Sequence, residues 1–413
     1  MRDRESTKLG RVLLTPENGD APFYAVMEMA DEPTDFGTPP TKANLLTDET
    51  EVALFGNAAD RTVNQAFAGI AGKLRLIMDD MANVTVHLVS ANGNGLAGAL
   101  VTGLFDESGN EVFTDLTGTA TGYVSAGEAT LTVSGYIDLT DVSETFTAVK
   151  GETYEKTLTT TTKNFVRIDS SRSVKFSGNV SRIDHTVVGG GGGGGGGVRP
   201  GSSEYRYPSG AGGGGGYCVV TENAAFLPNT SYSAVIGSGG AAGTTSDESY
   251  GGDGGKSSFM GVSAAGGKGG APGVFSSDGT TAKGGTGNGT GGNGVYASSS
   301  TSTSANGKAG SPGTVPGYAS FTETVLYGGG GGGGSAWYKN GSAVTGGAGG
   351  ADYGGEGSSV VGSTGYFDGQ AGRGPGGGGG GSGARYNPEG TRRTSAGAGH
   401  KGCVAIRMHL IAA

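Results

Sequence analysis

Apolar positions along the chain recur with different periods in successive stretches. Between residues 60 and 82 they return every three or four residues, at Val63, Phe67, Ile70, Leu74, Ile77 and Met81. That spacing lines one stripe of a helix, and Asp60 stands where a carboxylate accepts the free amides of a first turn. The pattern predicts an amphipathic helix over 60–82, either packed on a neighbouring domain or joined with copies of itself in a short trimeric coiled coil. Gly69 and Gly72 each lower its intrinsic stability by about 1 kcal/mol relative to alanine, so it requires partners. From 83 to 162 the period falls to two. Val84, Val86 and Leu88 alternate with polar residues, as do stretches at 130–133 and 145–147, with turn signals at Asn92-Gly93, Ser108-Gly109 and Ala126-Gly127. Short strands closed by such turns predict a small β-sandwich. Beyond 163, strand-like segments such as Phe165–Ile168, Arg182–Val188, Tyr217–Val220, Ser233–Ile236, Thr324–Tyr327 and Cys403–Ile406 are separated by glycine.

Composition sharpens that last observation. Glycine supplies 90 of 413 residues, and 74 of the 90 lie after residue 177. Pure runs occupy 189–197, 212–216, 328–334 and 376–381, with triplet-like text such as Gly266-Gly267-Lys268-Gly269-Gly270 between them. Glycine-rich chains are flexible linkers by default, but linkers mix in serine and do not alternate with apolar strands. Collagen is excluded by the absence of a strict three-residue repeat rich in proline. Pure glycine is suited to polyglycine II, an extended left-handed three-fold helix rising about 3.1 Å per residue. With no Cβ atoms, such helices approach until backbone bonds backbone, satisfying buried amides. The expected fold is therefore mainly β and non-regular. An N-terminal attachment segment (1–59) precedes the helix (60–82) and the β-sandwich (83–162). A glycine-rich domain of packed polyglycine II helices and short strands (163–413) follows.

Charge and chemistry narrow the function. The net charge is −9, and neither part of the chain is concentrated in Lys and Arg, which argues against nucleic-acid binding. The charged start Met1-Arg2-Asp3-Arg4-Glu5 predicts no secretory leader, and no apolar stretch is long enough to insert in a membrane. The four histidines and two cysteines fall in no metal-ligand spacing, so no metal, cofactor or catalytic site is expected. Cys218 and Cys403, both in strand text, are expected to be small buried residues sooner than a pair.

Aromatic and basic residues follow the glycine runs. Tyr205, Arg206 and Tyr207 come after 189–197; Trp337, Tyr338 and Lys339 after 328–334; Arg385, Tyr386, Arg392 and Arg393 after 376–381. If the three runs lie parallel, these residues emerge at one end and offer rigid aromatic area with forked donors, the chemistry of a recognition surface. The alternative is that the aromatics fold back to cap the apolar edges of the bundle.

Several phrases resemble known families. Gly95-Leu96-Ala97-Gly98-Ala99 and Gly122-Tyr123-Val124-Ser125-Ala126-Gly127 are similar to prealbumin-like modules, which serve as spacers in surface proteins. Ile236-Gly237-Ser238-Gly239-Gly240, Gly254-Gly255-Lys256-Ser257-Ser258-Phe259 and Gly399-His400-Lys401-Gly402-Cys403-Val404-Ala405-Ile406-Arg407 look like glycine-rich bacteriophage tail-fibre domains. Gly37-Thr38-Pro39-Pro40-Thr41-Lys42-Ala43-Asn44 is similar to tail-protein text of phages that infect Gram-positive anaerobes. The resemblance implies a tail fibre or tail-tip adhesin of the virion, assembled in the host cytoplasm and built as a homotrimer. It would dock on other tail or baseplate proteins and bind a host surface polysaccharide or protein. An architectural neck, collar or baseplate part is the alternative. A polysaccharide depolymerase, using carboxylates such as Asp247, Asp253, Asp352 and Asp368, is a third reading.

Overall fold

The computed structural model describes residues 11–14, 23–26, 80–197, 206–244, 249–273, 281–298, 304–313, 328–337, 343–350, 353–361, 365–385 and 392–411. Strands β1 (Arg11–Leu14) and β2 (Phe23–Val26) form an antiparallel pair. Beyond them the chain divides into two compact units. One holds the strands up to residue 134 together with 141–160; the other holds 135–140 and everything from 161 onward.

The first unit is one curled sheet. Its strands are β3 (Met81–Ser90), β4 (Leu100–Phe105), β5 (Glu111–Phe113), β6 (Thr119–Ser125), β7 (Gly127–Val133), β8 (Val142–Ala148) and β9 (Thr153–Thr160). They lie in the order β8-β7-β4-β6-β3-β9, with β5 on β4. Only β3 and β9 run parallel to each other. The alternation does what the period-two pattern requires: Ala82, Val84, Val86 and Leu88 are fully buried, and Val101, Leu104, Leu131 and Leu158 meet them inside. The outer strands of the path meet through side chains, where Lys156 Nζ bonds Glu144 at 2.9 Å and lies 4.4 Å over the Phe146 ring. Met81 corrects the helix expectation. It opens β3, because the alternation extends back through buried Ala82 and holds the backbone in the ladder opposite Val124 and Ser125. Val63, Phe67, Ile70, Leu74 and Ile77 lie outside the described residues.

The second unit begins as a sandwich. Its strands are β10 (Phe165–Ile168), β11 (Arg172–Lys175), β12 (Val180–Val188), β13 (Arg206–Pro208), β14 (Cys218–Ala224), β15 (Ser231–Val235), β16 (Ser257–Phe259) and β17 (Val262–Ala264). There follow β18 (Tyr296–Ser298), β19 (Ala336–Trp337), β20 (Ser359–Val361), β21 (Gly365–Phe367), β22 (Ala384–Arg385), β23 (Arg392–Arg393) and β24 (Cys403–Leu410). A sheet β10-β24-β12-β14 faces a second, β11-β15-β16-β17. Between them Phe176, Ile183, Val187, Phe259, Val404, Ile406 and Met408 form one buried cluster. Residues 135–140 join this unit through backbone and side chain. Ile137 N–H donates to the Lys175 carbonyl and Lys163 N–H to that of Asp138. The Asp138 carboxylate accepts from both the amide and the hydroxyl of Ser177. Burial pushes that carboxyl above the usual range in spite of the two Ser177 bonds.

Several sandwich strands continue directly into polyglycine segments: β12 into 189–197, β15 into 237–244, β17 into 265–273, while 209–217, 249–256 and 394–402 lead back into β14, β16 and β24. In the 189–197 run the amide bonds repeat every third residue. Gly189, Gly192 and Gly195 donate to Tyr217, Gly214 and Ala211; Gly190, Gly193 and Gly196 to Gly255, Gly252 and Ser249; Gly191 and Gly194 to His400 and Gly397. The carbonyls of the same run accept from 267, 270 and 273, from 240 and 243, and from 379 and 382, all at 2.8–3.1 Å. One run thus touches six neighbours, the packing of a hexagonal lattice of three-fold helices. The segments 209–217, 328–335 and 376–383 are surrounded in the same way. These four interior columns hold the pure glycine runs.

Outer columns show the triplet text. Along 237–244, Gly237, Gly240 and Gly243 are buried while Ser238, Ala241 and Thr244 are exposed. The third residue of each turn faces solvent and tolerates a side chain. Interior glycine is required by close approach and not by backbone freedom: a Cβ on Gly189 to Gly196 would stand 1.9–2.1 Å from a carbonyl oxygen of a neighbouring column. Positive φ is confined, among the described glycines of these runs, to Gly328 (75°) and Gly376 (73°), the first residue of each run.

Candidate functional site

The direction of the columns locates the site. Gly379 and Ser382 donate to Gly192 and Gly195, and Gly378 and Gly381 to Gly329 and Gly332, so partner numbers rise together. The runs 189–197, 328–334 and 376–381 are therefore parallel. The 209–217 column is antiparallel to them, since Gly192 bonds Gly214 and Gly195 bonds Ala211. All three long runs begin at the sandwich end of the lattice and run towards the other, about 28 Å away for nine residues at polyglycine rise. The chain continues from that far end into 198–205, 338–342 and 386–391.

Short strands close the far end. β19, β22 and β23 make one sheet, parallel between β19 and β22, in which Trp337 pairs with Arg385 and Arg385 with Arg392. Antiparallel β13 and β18 set Arg206 opposite Ser298 and Tyr207 opposite Ala297. Small residues make the transition from lattice to strand. Ala336, Ala384 and Val295 bury together, and Ser209, Ser335, Ser358 and Ser382 are each fully buried at the ends of their columns. The Ser209 hydroxyl donates to the Gly334 carbonyl at 2.7 Å, and the Ser335 hydroxyl to that of Ser358 at 2.9 Å. This serine layer went unrecognised in the sequence; its signal is a single serine adjoining a glycine segment at the same end of these four columns, where 189–197 has Val198 instead.

Of the residues the sequence singles out, Arg206, Tyr207, Trp337, Arg385, Arg392 and Arg393 come together on these strands. Tyr205, Tyr338, Lys339 and Tyr386 lie outside the described residues. Trp337 requires a correction. Its side chain is 5% exposed and packs with Val344 and Val360, because an indole at the end of a glycine lattice gains more by covering apolar neighbours than by facing water. It caps the end; it is not displayed there.

The lateral carboxylates are engaged in holding columns together. Asp253 pairs with Lys268 at 2.7 Å and accepts from Gly269 N–H, and its carboxyl lies below the usual range chiefly through the Lys268 bond. Asp368 accepts from Ser395 N–H at 2.7 Å. Asp247 and Asp352 lie outside the described residues. Both thiols stand at the sandwich end of the lattice, opposite Val188 on either side of β12. Two strand spacings separate their Cα atoms by about 10 Å, beyond the roughly 7 Å a disulfide spans, and both are free. Burial pushes the Cys218 thiol up to about 12.

The glycine-rich domain family matches residues 168–409, more than half of the chain and the whole of the lattice with most of its sandwich. The chain belongs to the glycine-rich domain family. No curated protein sequence matches it. The glycine-rich domain is thus the recognisable part, and its far end is where side chains other than glycine gather.

Proposed function

We propose that the chain is a bacteriophage tail-fibre or tail-tip protein whose glycine-rich domain binds a host surface through the far end of its lattice. One observation carries this reading: three parallel glycine runs deliver the aromatic and basic segments to the same end of a rigid body. Each column is fixed by backbone bonds to its neighbours, so the segments following 197, 337 and 385 leave from fixed points. Pre-organisation of that kind favours binding by reducing the entropy lost on association. In this reading the first compact unit serves as a prealbumin-like spacer. Residues 1–59 attach the protein to the particle, 60–82 join three copies, and no catalysis is involved.

The test has two arms. Antibody labelling of particles from the source culture should place the chain at the end of the tail. Purified full-length chain should bind envelope preparations of the host, and a variant with 338–342 and 386–391 replaced by Gly-Ser segments should lose that binding while unfolding at the same urea concentration. Undiminished binding by the variant, or labelling confined to the neck or collar, would make the protein an architectural part.

A further inference from the structure

The described strands at the far end have a composition unlike the rest of the chain. β13 reads Arg-Tyr-Pro, β18 Tyr-Ala-Ser, β19 Ala-Trp, β20 Ser-Val-Val, β21 Gly-Tyr-Phe, β22 Ala-Arg and β23 Arg-Arg. They carry four arginines (206, 385, 392 and 393) and several aromatics, and no Asp or Glu. Residues 178–413 carry 14 Lys/Arg against 12 Asp/Glu, so four arginines with no carboxylate on these strands are a local excess of cations. Along the sides of the lattice the pattern reverses: Asp253 is matched by Lys268 and Glu356 by Arg373.

The arginines also have a place in the lattice. Columns 209–217, 328–335 and 376–383 are interior and bond one another. They connect to β13, β19 and β22, so Arg206, Trp337 and Arg385 stand around the middle of the end face and not at its rim. Trp337, Arg385 and Arg392 occupy one register row across three strands.

From this placement we propose that the far end docks on an anionic surface glycopolymer, a chain of sugar or polyol units bearing phosphate or carboxylate. The proposal rests on the receptor-binding reading and names the chemistry of the receptor. Guanidinium forks match carboxylate and phosphate in bidentate geometry, and Phe367 of β21, an exposed aromatic, supplies flat apolar area for a sugar face. A polynucleotide fits less well. The four arginines of these described strands fall short of the roughly 6–10 phosphate contacts of strong nucleic-acid binders. A polymer with one anion per unit needs only a few contacts made at the end face.

The test uses the full chain and Arg385→Gln/Arg392→Gln against immobilised poly(glycerol phosphate), polygalacturonate, neutral dextran and a single-stranded oligonucleotide. The wild-type chain should bind at least one of the two anionic polymers and not dextran. Raising salt from about 50 to 200 mM should weaken that binding about tenfold, as release of a few counterions requires. The double variant should lose at least as much while keeping its urea midpoint. Binding to poly(glycerol phosphate) alone assigns phosphate as the recognised group, and to polygalacturonate alone, carboxylate. Binding to neither polymer, equal binding by the double variant, or preference for the oligonucleotide overturns the proposal. If the polymers fail while envelope binding is still lost on replacing 338–342 and 386–391, this inference falls and the receptor reading stands. If the polymers bind but no envelope does, the receptor reading is the one that fails.

Discussion

Replacing Gly193 by alanine isolates the physics of the lattice. A Cβ at this position would meet the Ala241 carbonyl oxygen at 1.9 Å and its carbon at 2.6 Å. Ordinary contact begins near 3.4 Å, so the two columns must part by about 1.5 Å. That displacement stretches the two bonds joining those columns, which Gly240 N–H and Gly243 N–H donate to the Gly191 and Gly194 carbonyls, both at 2.8 Å. Overpacking costs about 1–3 kcal/mol, and two weakened bonds add about 1 kcal/mol each. Reduced freedom of the unfolded chain offsets about 0.4–1 kcal/mol. The expected net loss is roughly 2–5 kcal/mol. Gly197→Ala, in the same run, is the control: its nearest atom is the Ser382 hydroxyl at 3.2 Å, followed by the Gly383 carbonyl at 3.4 Å. That neighbour can rotate away, so the change should stay within about 1 kcal/mol. Urea unfolding followed by the fluorescence of Trp337, the one tryptophan of the chain, reports on this unit, where the indole is 5% exposed. Equal or greater stability of Gly193→Ala, which a free linker predicts, would refute the lattice argument.

Two further outcomes are expected. His185 is 1% exposed, its ring nitrogens have no hydrogen-bond partner among the described residues, and it meets Phe259 edge-on at 5.2 Å. Burial pulls it from 6.5 down to about 4, against the opposing pull of Asp184, which itself pairs with His409. The folded state therefore binds fewer protons than the unfolded one. This contribution to stability is complete above pH 6.5 and is lost as pH falls towards 4. The loss reaches about 3 kcal/mol once the ring is protonated in both states. Comparing wild type with His185→Leu in urea at pH 7 and pH 4.5 measures it, and a difference that does not change with pH would rule it out. The second outcome concerns the thiols. With Cys218 held up to about 12 and Cys403 raised by burial, iodoacetamide at pH 8 should leave the native chain unlabelled and modify both thiols in urea. Rapid labelling of either in the native chain would contradict their placement.

Much of this was legible in the chain. Alternation at Val84, Val86 and Leu88 sets β3, because a pleated strand presents every second side chain to the core. The difference between pure glycine runs and glycine-glycine-X triplets marks interior and edge columns, because a three-fold helix turns every third residue the same way and only an edge column has somewhere to put a side chain. Aromatic and basic residues after three of the runs marked the far end as the place where the composition changes.

The rest was decided by tertiary structure. Glycine has no side chain with which to choose a neighbour, so nothing in Gly189–Gly197 specifies that it bonds 209–217 antiparallel and 376–383 parallel. The sandwich and the alternating up-and-down connections of the chain set those partners. Trp337 reads like a displayed anchor, yet the nearness of Val344 and Val360, known only once their columns are packed, buries it. Met81 fits a helical stripe by spacing and belongs to a strand by its ladder. Tyr136 to Thr140 sit between two strands of the first unit and fold with the second, because Asp138 finds the Ser177 amide and hydroxyl there. The sequence alone determines that a glycine lattice forms and which of its columns lie inside; the arrangement of those columns, and hence what stands at the end face, depends on contacts between residues far apart in the chain.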